Sequence, residues 1–229
     1  FKVCTPAATQ HAISRYRPGV TDKFYSTIHD MLQDVAMIMR DEVQALIDEG
    51  ASYVQLDAPS YSTFFDPKRR ASLQASGIDP VRALDAAIAA DNAMIQDIKR
   101  RPEVLIGIHF CRGNKRSAWG AEGSYEPIAE KAFSSLRMDR YLMEFDTERA
   151  GGFEPLRFVP KGKTVVLGLI TTKEPQLESE DELLRRIEQA SKYVPTENLA
   201  FSTQCGFASA ASGNLLSWDD MRRKLELVT

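Results

Sequence analysis

The chain is poor in most of the features that announce a function. Cysteine is scarce: three in 229 residues, Cys4, Cys111 and Cys205. An odd and widely spaced count is not the dense, even framework that staples small secreted domains, so it points to a reducing compartment, the cytoplasm. Charge of one sign is missing too, with 29 Lys and Arg against 32 Asp and Glu and a net charge of -3. That balance leaves no broad basic footprint and argues against nucleic acid as a partner. No apolar run approaches the ~20 residues needed to cross a bilayer; Val165 to Ile170 is among the longest. Low complexity is absent as well, since 43% hydrophobic and 27% charged residues are ordinary for a soluble globular protein. The opening Phe1-Lys2-Val3-Cys4-Thr5-Pro6 reads as the end of a buried strand rather than as a targeting segment. Trp218 to Thr229 has a helical pattern with no stop signal. Both ends are therefore expected to lie within a fold.

What is present is an alternation. Short β-rich runs recur at Phe1 to Cys4, Tyr53 to Leu56, Val104 to Ile108, Tyr141 to Met143, Thr164 to Ile170 and Leu199 to Phe201, each followed by a helical stretch. Met31, Val35, Ile38, Met39, Val43, Leu46 and Ile47 fall at helical spacing ahead of Gly50, a natural C-terminal cap. A second helix is expected from Asp79-Pro80 through Leu84, Ile88, Ile95 and Ile98. A third opens with Ser179 and Glu182 at capping-box spacing.

The strands end in chemically loaded residues: Thr5-Pro6, Asp57, His109 with Cys111, Glu144 with Asp146, Thr171-Thr172, and Gln204-Cys205. Loops after the strands of a parallel barrel form the face that carries active sites, whereas an open doubly wound sheet offers one switch point only. The expected fold is therefore an α/β (β/α)8 TIM barrel, one domain over residues 1–229, with strands 3–8 visible and the first two β/α units lacking.

His109 and Cys111 sit two apart at a strand end, so the period of two puts both on one face. Cys205 ends the last strand and Glu144 ends one between them. One nitrogen, two sulfurs and one oxygen make a set that suits zinc. The competing reading of each residue alone is plainer: small buried cysteines and a hydrogen-bonded core histidine. Cys4 reads as core. Two thiolates, a carboxylate and a neutral imidazole around a divalent cation sum to -1, which disfavours hydrolysis and favours holding an incoming thiol as thiolate, hence alkyl transfer to sulfur.

The segments Tyr53-Val-Gln-Leu-Asp57-Ala-Pro59, His109-Phe-Cys111-Arg-Gly-Asn114, Tyr141-Leu-Met-Glu144-Phe-Asp146, Val166-Leu-Gly-Leu-Ile-Thr-Thr172 and Gln204-Cys205-Gly-Phe207 together give nearly the whole chain a resemblance to a known family. It resembles the C-terminal barrel of cobalamin-independent methionine synthase and, more closely, short bacterial proteins of that superfamily. The resemblance implies Zn2+ held by His109, Cys111, Glu144 and Cys205, and a methyltransferase of methionine biosynthesis. Its small-molecule partners would be homocysteine as thiol acceptor and methyl-tetrahydrofolate, or a related compound, as methyl donor. It implies that Asp57 contacts the amino acid's ammonium. A homodimer is compatible with it, and so is a demethylase or alkyltransferase of the same architecture; a zinc that only ties strand ends together is the noncatalytic alternative.

Two departures qualify the carry-over. The family's Asp-Glu-Pro is Asp57-Ala58-Pro59 here, so one carboxylate is missing. The strand that ends in the synthases with a proton-donating histidine ends here in Thr171-Thr172, and threonine does not titrate near neutrality. Arg112 is a candidate for an anionic substrate group, and Trp119 and Tyr125 for stacking on a flat donor or for packing the rim. Lys68-Arg69-Arg70 reads as a solvated charge run.

Overall fold

Six parallel strands follow one another across a single sheet in chain order: β1 (Lys2–Pro6), β2 (Tyr53–Asp57), β3 (Leu105–Phe110), β4 (Arg140–Glu144), β5 (Thr164–Ile170) and β6 (Leu199–Thr203). The computed structural model describes residues 1–229, the side chain of Ser14 apart. The helices are α1 (Ala8–Arg15), α2 (Ile28–Asp48), α3 (Ser62–Phe65), α4 (Pro67–Ala75), α5 (Pro80–Ala93), α6 (Glu126–Ser135), α7 (Glu180–Ser191) and α8 (Trp218–Glu226). Sequential neighbours in parallel require a crossover between each pair, and these helices supply the longer ones. β1 and β6 pair with no further strand among the described residues, so the sheet is open there.

Burial follows position in the sheet. β3 and β5, flanked on both sides, are buried along almost their whole length, while the end strand β6 is mostly half-exposed. That contrast matches the near-continuous apolar runs seen in sequence, because a central parallel strand has no solvent face. The core is one cluster joining the sheet to α1, α2, α5 and α6. Above β3 and β4 an edge-on aromatic chain, Phe65, Phe110, Phe133, Tyr125 and Phe145, fills the space beneath the site.

Local signals behave as their chemistry dictates, with some corrections. Thr27 and Asp30 form a reciprocal capping box at the start of α2, and Gly50 takes a positive φ just past its end. Asp79 caps α5 through Val81 N, but that helix stops at Ala93, short of Ile95 and Ile98. Ser179 precedes α7 without a side-chain cap, so the expected capping box does not form there. Cys4 is not core. It is exposed, because its side of β1 faces an open cleft instead of the helices. Lys68 is exposed and pairs with Glu122, but Arg69 is a bridge instead of a solvated charge, donating to Ser62 Oγ at 2.6 Å and to the Gly120 carbonyl at 2.6 Å.

One glycine decides how the sheet meets the site. A Cβ on Gly168 in β5 would come within 2.8 Å of Gln204 Cα and 3.1 Å of the Met143 carbonyl. The β5–β6 register shifts between Gly168 and Ile170, and the missing side chain lets the backbone after β6 lie against β5. Gln204 is thereby delivered to the middle of the candidate site.

Candidate metal centre

The carboxyl ends of the strands open onto a cleft of about 530 Å³, lined among others by Asp57, His109, Cys111, Gln204 and Cys205. Strand periodicity aims His109 and Cys111 into it from the end of β3 and the residue just beyond. Asp57 ends β2 in register with His109, and Glu144 ends β4. Cys205 lies two residues past β6.

His109, Cys111, Glu144 and Cys205 each offer one ligand atom, and the four atoms lie within 4.8 Å of one another. The two Sγ atoms are 3.4 Å apart with no disulfide between them. Cys205 Sγ is 3.0 Å from Glu144 Oε1, and His109 Nε2 is 3.5 Å from the same oxygen. Zinc with bonds of about 2.0–2.3 Å spaces tetrahedral ligand atoms by about 3.3–3.8 Å, so the cluster is close to the required size. His109 Nε2 is moreover a buried nitrogen without a hydrogen-bond partner. Such an orphan, facing two sulfurs and an oxygen, is what a ligand atom looks like, and the residues fit the metal.

The surrounding groups orient these four. His109 Nδ1 meets Asp57 Oδ1 at 3.2 Å, leaving Nε2 as the outward nitrogen, and Gln55 Nε2 steadies the same Asp57 oxygen at 2.7 Å. Glu144, wholly buried, accepts from the Arg112 backbone N–H at 3.1 Å on one oxygen and from Gln204 Nε2 at 2.9 Å on the other. Arg149 stands 3.6 Å from that second oxygen while forking onto Asp146 at 2.9 and 3.0 Å.

Electrostatics without an ion follow from this crowding. Burial disfavours charge on His109, yet the hydrogen bond with Asp57 and the Glu144 carboxylate 3.5 Å away overcome it and push the imidazole up to about 10. Burial works against the charged form of Glu144 as well, and the His109 and Cys205 contacts still hold it down at about 2. The two thiols split: the hydrogen bond from Cys205 lowers Cys111, and the same contact together with burial raises Cys205. The His109 imidazolium thus supplies beside Glu144 and Cys111 part of the positive charge that a cation would bring.

Arg112 does not line the cleft. It is 1% exposed and lies between the rings of Phe65 and Tyr125 at 4.7 and 4.3 Å, its guanidinium donating to the Gly123 carbonyl at 2.7 Å and to the Glu144 and Ala150 carbonyls at 3.4 Å. Tyr125 is buried, and its hydroxyl accepts from the Glu144 backbone N–H at 3.0 Å, so it packs instead of reaching a ligand. Trp119 is half-exposed and stacks under Arg149. Ala58 is buried beside Asp57, so no second carboxylate stands there. One residue escaped sequence reasoning: Arg149 lies within the short helical turn Glu148–Ala150 after β4 and gives no pattern.

A parallel β/α sheet bearing a nitrogen, two sulfurs and a carboxylate at its carboxyl rim defines a class of metal-site β/α proteins. The model of the cobalamin-independent synthase catalytic domain matches residues 14–222, and the chain belongs to that family. The uncharacterized protein YxjH of Bacillus subtilis strain 168 is 40% identical over 206 residues, covering 89% of this chain and 54% of that one. The methionine synthase of Pyrococcus abyssi is 25% identical over 187 residues, covering 81% and 45%. A crystal structure from Listeria monocytogenes, of a protein assigned as a vitamin-B12 independent methionine synthase, superposes with a TM-score of 0.71 at 29% identity over 99% of this chain and 62% of that one. The structure of a B12-independent methionine synthase from Shewanella sp. W3-18-1 has a TM-score of 0.73 at 21% identity, a likeness of fold. These neighbours are TIM barrels, and the chain spans about half the length of the curated relatives it matches. No helix among the described residues is long and apolar enough to cross a membrane.

Proposed function

We propose that this chain carries the zinc and thiol half of a methyl-transfer site, with homocysteine as the acceptor. The single observation that carries the reading is the convergence of four ligand atoms within 4.8 Å from β3, β4 and the loop after β6. His109, Cys111, Glu144 and Cys205 would hold the ion. When bound, zinc in so thiolate-rich a set keeps an incoming thiol ionised and nucleophilic at neutral pH. Around it the chain's own residues orient and position. Asp57 uses one oxygen to fix His109 and Gln55 while the side chain stays 39% exposed to the cleft, which leaves its other oxygen to accept an ammonium N–H. Gln204, Arg112 and Arg149 hold Glu144 from three sides, so its carboxylate is fixed in one geometry facing the cysteines and His109. The buried aromatic layer beneath excludes water from the floor of the rim.

Ala58 favours a second reading on the acceptor side. With one carboxylate where the synthases have two, a thiol without an ammonium group loses less in this cleft than it would in theirs. The test is to measure zinc by elemental analysis and its ligands by X-ray absorption, with homocysteine and with thiols lacking the amine. One zinc per chain is expected, with two sulfurs at rest and a third on adding homocysteine. Unchanged zinc content in both Cys111→Ser and Cys205→Ser would sink the site. A sulfur count that stays at two with every thiol would leave a structural zinc.

A further inference from the structure

The two sulfurs of the candidate centre are placed for a second chemistry besides ligation. Cys111 Sγ and Cys205 Sγ stand 3.4 Å apart as free thiols. A disulfide needs about 2.05 Å, so each sulfur has to move by less than about 1 Å, within the reach of side-chain rotation. The backbone leaves room for it. β3 stops at Phe110 and β6 at Thr203, so both cysteines lie just beyond the ends of their strands. Next to Cys205, Gly206 has nothing within 4 Å of where a Cβ would stand. The two segments are nevertheless kept side by side, because Asn114, three residues after Cys111, donates to the Gly206 carbonyl at 2.8 Å.

Their surroundings give the two thiols different parts. Cys111 is the more open, and its Sγ accepts from the Gly113 N–H at 3.3 Å, which steadies a negative sulfur. Cys205 is 9% exposed and turns its S–H to Glu144 Oε1 at 3.0 Å. Both line the cleft, which is wide enough to admit a small peroxide. Cys4 lines the same cleft and is exposed, but no other thiol is in contact with it among the described residues.

We propose that Cys111 and Cys205 are a reversible oxidation site, closed to a disulfide by a hydroperoxide, and that closing it switches the candidate centre off. The effect on metal rests on the zinc reading above; the sulfur chemistry does not. The Cys111 thiolate attacks one oxygen of hydrogen peroxide, the O–O bond breaks, and the departing hydroxide takes a proton from solvent to become water. The Cys205 thiolate then attacks the Cys111 sulfur. The S–S bond forms, the S–O bond breaks, and the second hydroxide leaves and is protonated in the same way. In sum, two thiols and one hydrogen peroxide give one disulfide and two waters, with two electrons passing from sulfur to oxygen. A partner thiol this close stops Cys111 at the sulfenic acid, short of the irreversible sulfinic acid. The link uses two of the four ligand atoms and leaves only His109 and Glu144, too few for a tetrahedral zinc site, and a dithiol reductant returns both sulfurs.

The test is to titrate the zinc-loaded whole protein with hydrogen peroxide while following zinc release to a chromophoric chelator, free thiols and peptide masses. One equivalent should release the zinc and lower the free thiols from three to one, with one cross-linked peptide pair carrying Cys111 and Cys205. Dithiothreitol and zinc should reverse all three changes. Cys4→Ser should behave like the parent, and in Cys205→Ser the unprotected Cys111 should run on to sulfinic acid. The stripped, oxidised protein should melt higher than the stripped, reduced one, because the link joins residues 94 apart in the chain and constrains the unfolded state. Sulfinic acid at Cys111 in the parent, a link to Cys4 or between chains in place of the internal one, or thiols that survive excess peroxide would each overturn the proposal. If the link forms in a chain that holds no zinc, the metal reading fails and the oxidation site stands. If zinc is held and then lost with no link formed, the metal reading stands and the oxidation site falls.

Discussion

Asp57 serves two neighbours with one carboxylate. Burial would raise it, but the hydrogen bonds from His109 and Gln55 keep it below the usual carboxylate range, so it is charged throughout the physiological span. Through Oδ1 it sets which face of the His109 ring looks inward, and groups of this kind typically contribute 10- to 100-fold in metal affinity. Asp57→Asn keeps the shape and loses the charge. It should weaken zinc binding by roughly 10- to 100-fold, as read by competition with a chromophoric chelator, and weaken homocysteine binding further than that of a thiol lacking the ammonium. Equal losses for both thiols would remove the ammonium contact from the account of Asp57. At Arg112, by contrast, no ligand contact is needed to explain its burial: it knits the loops after β3 and β4 together under the site.

Among the elements, α1 has an unusual start. Its N-cap is Ala7, which offers no side-chain acceptor, and the need is met from α5 instead: Asp91 Oδ1 accepts from the Thr9 N–H at 3.2 Å and Asp91 Oδ2 from Thr9 Oγ1 at 3.0 Å. Complete burial raises this carboxyl to about 6, more than its hydrogen bonds lower it. Between about pH 4 and 6 the folded state therefore binds more protons than the unfolded state, and the contribution of Asp91 is present in full below pH 4 and lost as pH rises through 6. Asp91→Asn removes the titration. Relative to the parent, the variant should gain roughly 3 kcal/mol between pH 4 and pH 7.5, a figure from two pH units at about 1.4 kcal/mol each. Urea denaturation at the two pH values decides it, and a constant difference would show that Asp91 titrates normally. The β5–β6 irregularity is the other element-scale device, because it needs Gly168 bare and in return carries Gln204 to Glu144.

For the molecule as a whole, the candidate centre ties together pieces that are otherwise only neighbours. Its ligands come from β3, β4 and the loop after β6, and that loop is further held by Asn114, which donates to the Gly206 carbonyl at 2.8 Å and to Ser209 Oγ at 3.1 Å. An ion bound to the folded state alone contributes about 4 kcal/mol when its free concentration is a thousandfold above the dissociation constant. Stripping zinc with a chelator should therefore lower the melting temperature by about 10 °C, given 2–4 °C per kcal/mol for a chain of this size. Hydrogen exchange should quicken first in residues 204–215 after the metal is removed. Scanning calorimetry of loaded and stripped protein checks the first expectation, and identical transitions would mean that no ion is held by the fold.

Much of the arrangement was legible in the linear chain, for reasons that are local. Strand residues alternate faces and parallel strands run apolar, so the six runs, the helix over Met31 to Ile47 and the shared face of His109 and Cys111 follow from spacing alone. The candidate cluster of His109, Cys111, Glu144 and Cys205, too, was readable, because residues at the strand ends of one parallel sheet converge at its carboxyl rim. What tertiary structure decided lies in contacts between residues far apart in sequence. Cys4 is exposed because of what does not cover its side of β1. Arg112 turned inward because two aromatic rings and three carbonyls accept it. The buried Nζ of Lys173 has no hydrogen-bond partner, whereas that of Lys224 donates to the Gln176 carbonyl and both Glu178 oxygens. Side-chain type and local period are written in the sequence, but whether a buried charge finds a partner depends on which distant backbone passes beside it, and only the packed fold sets that.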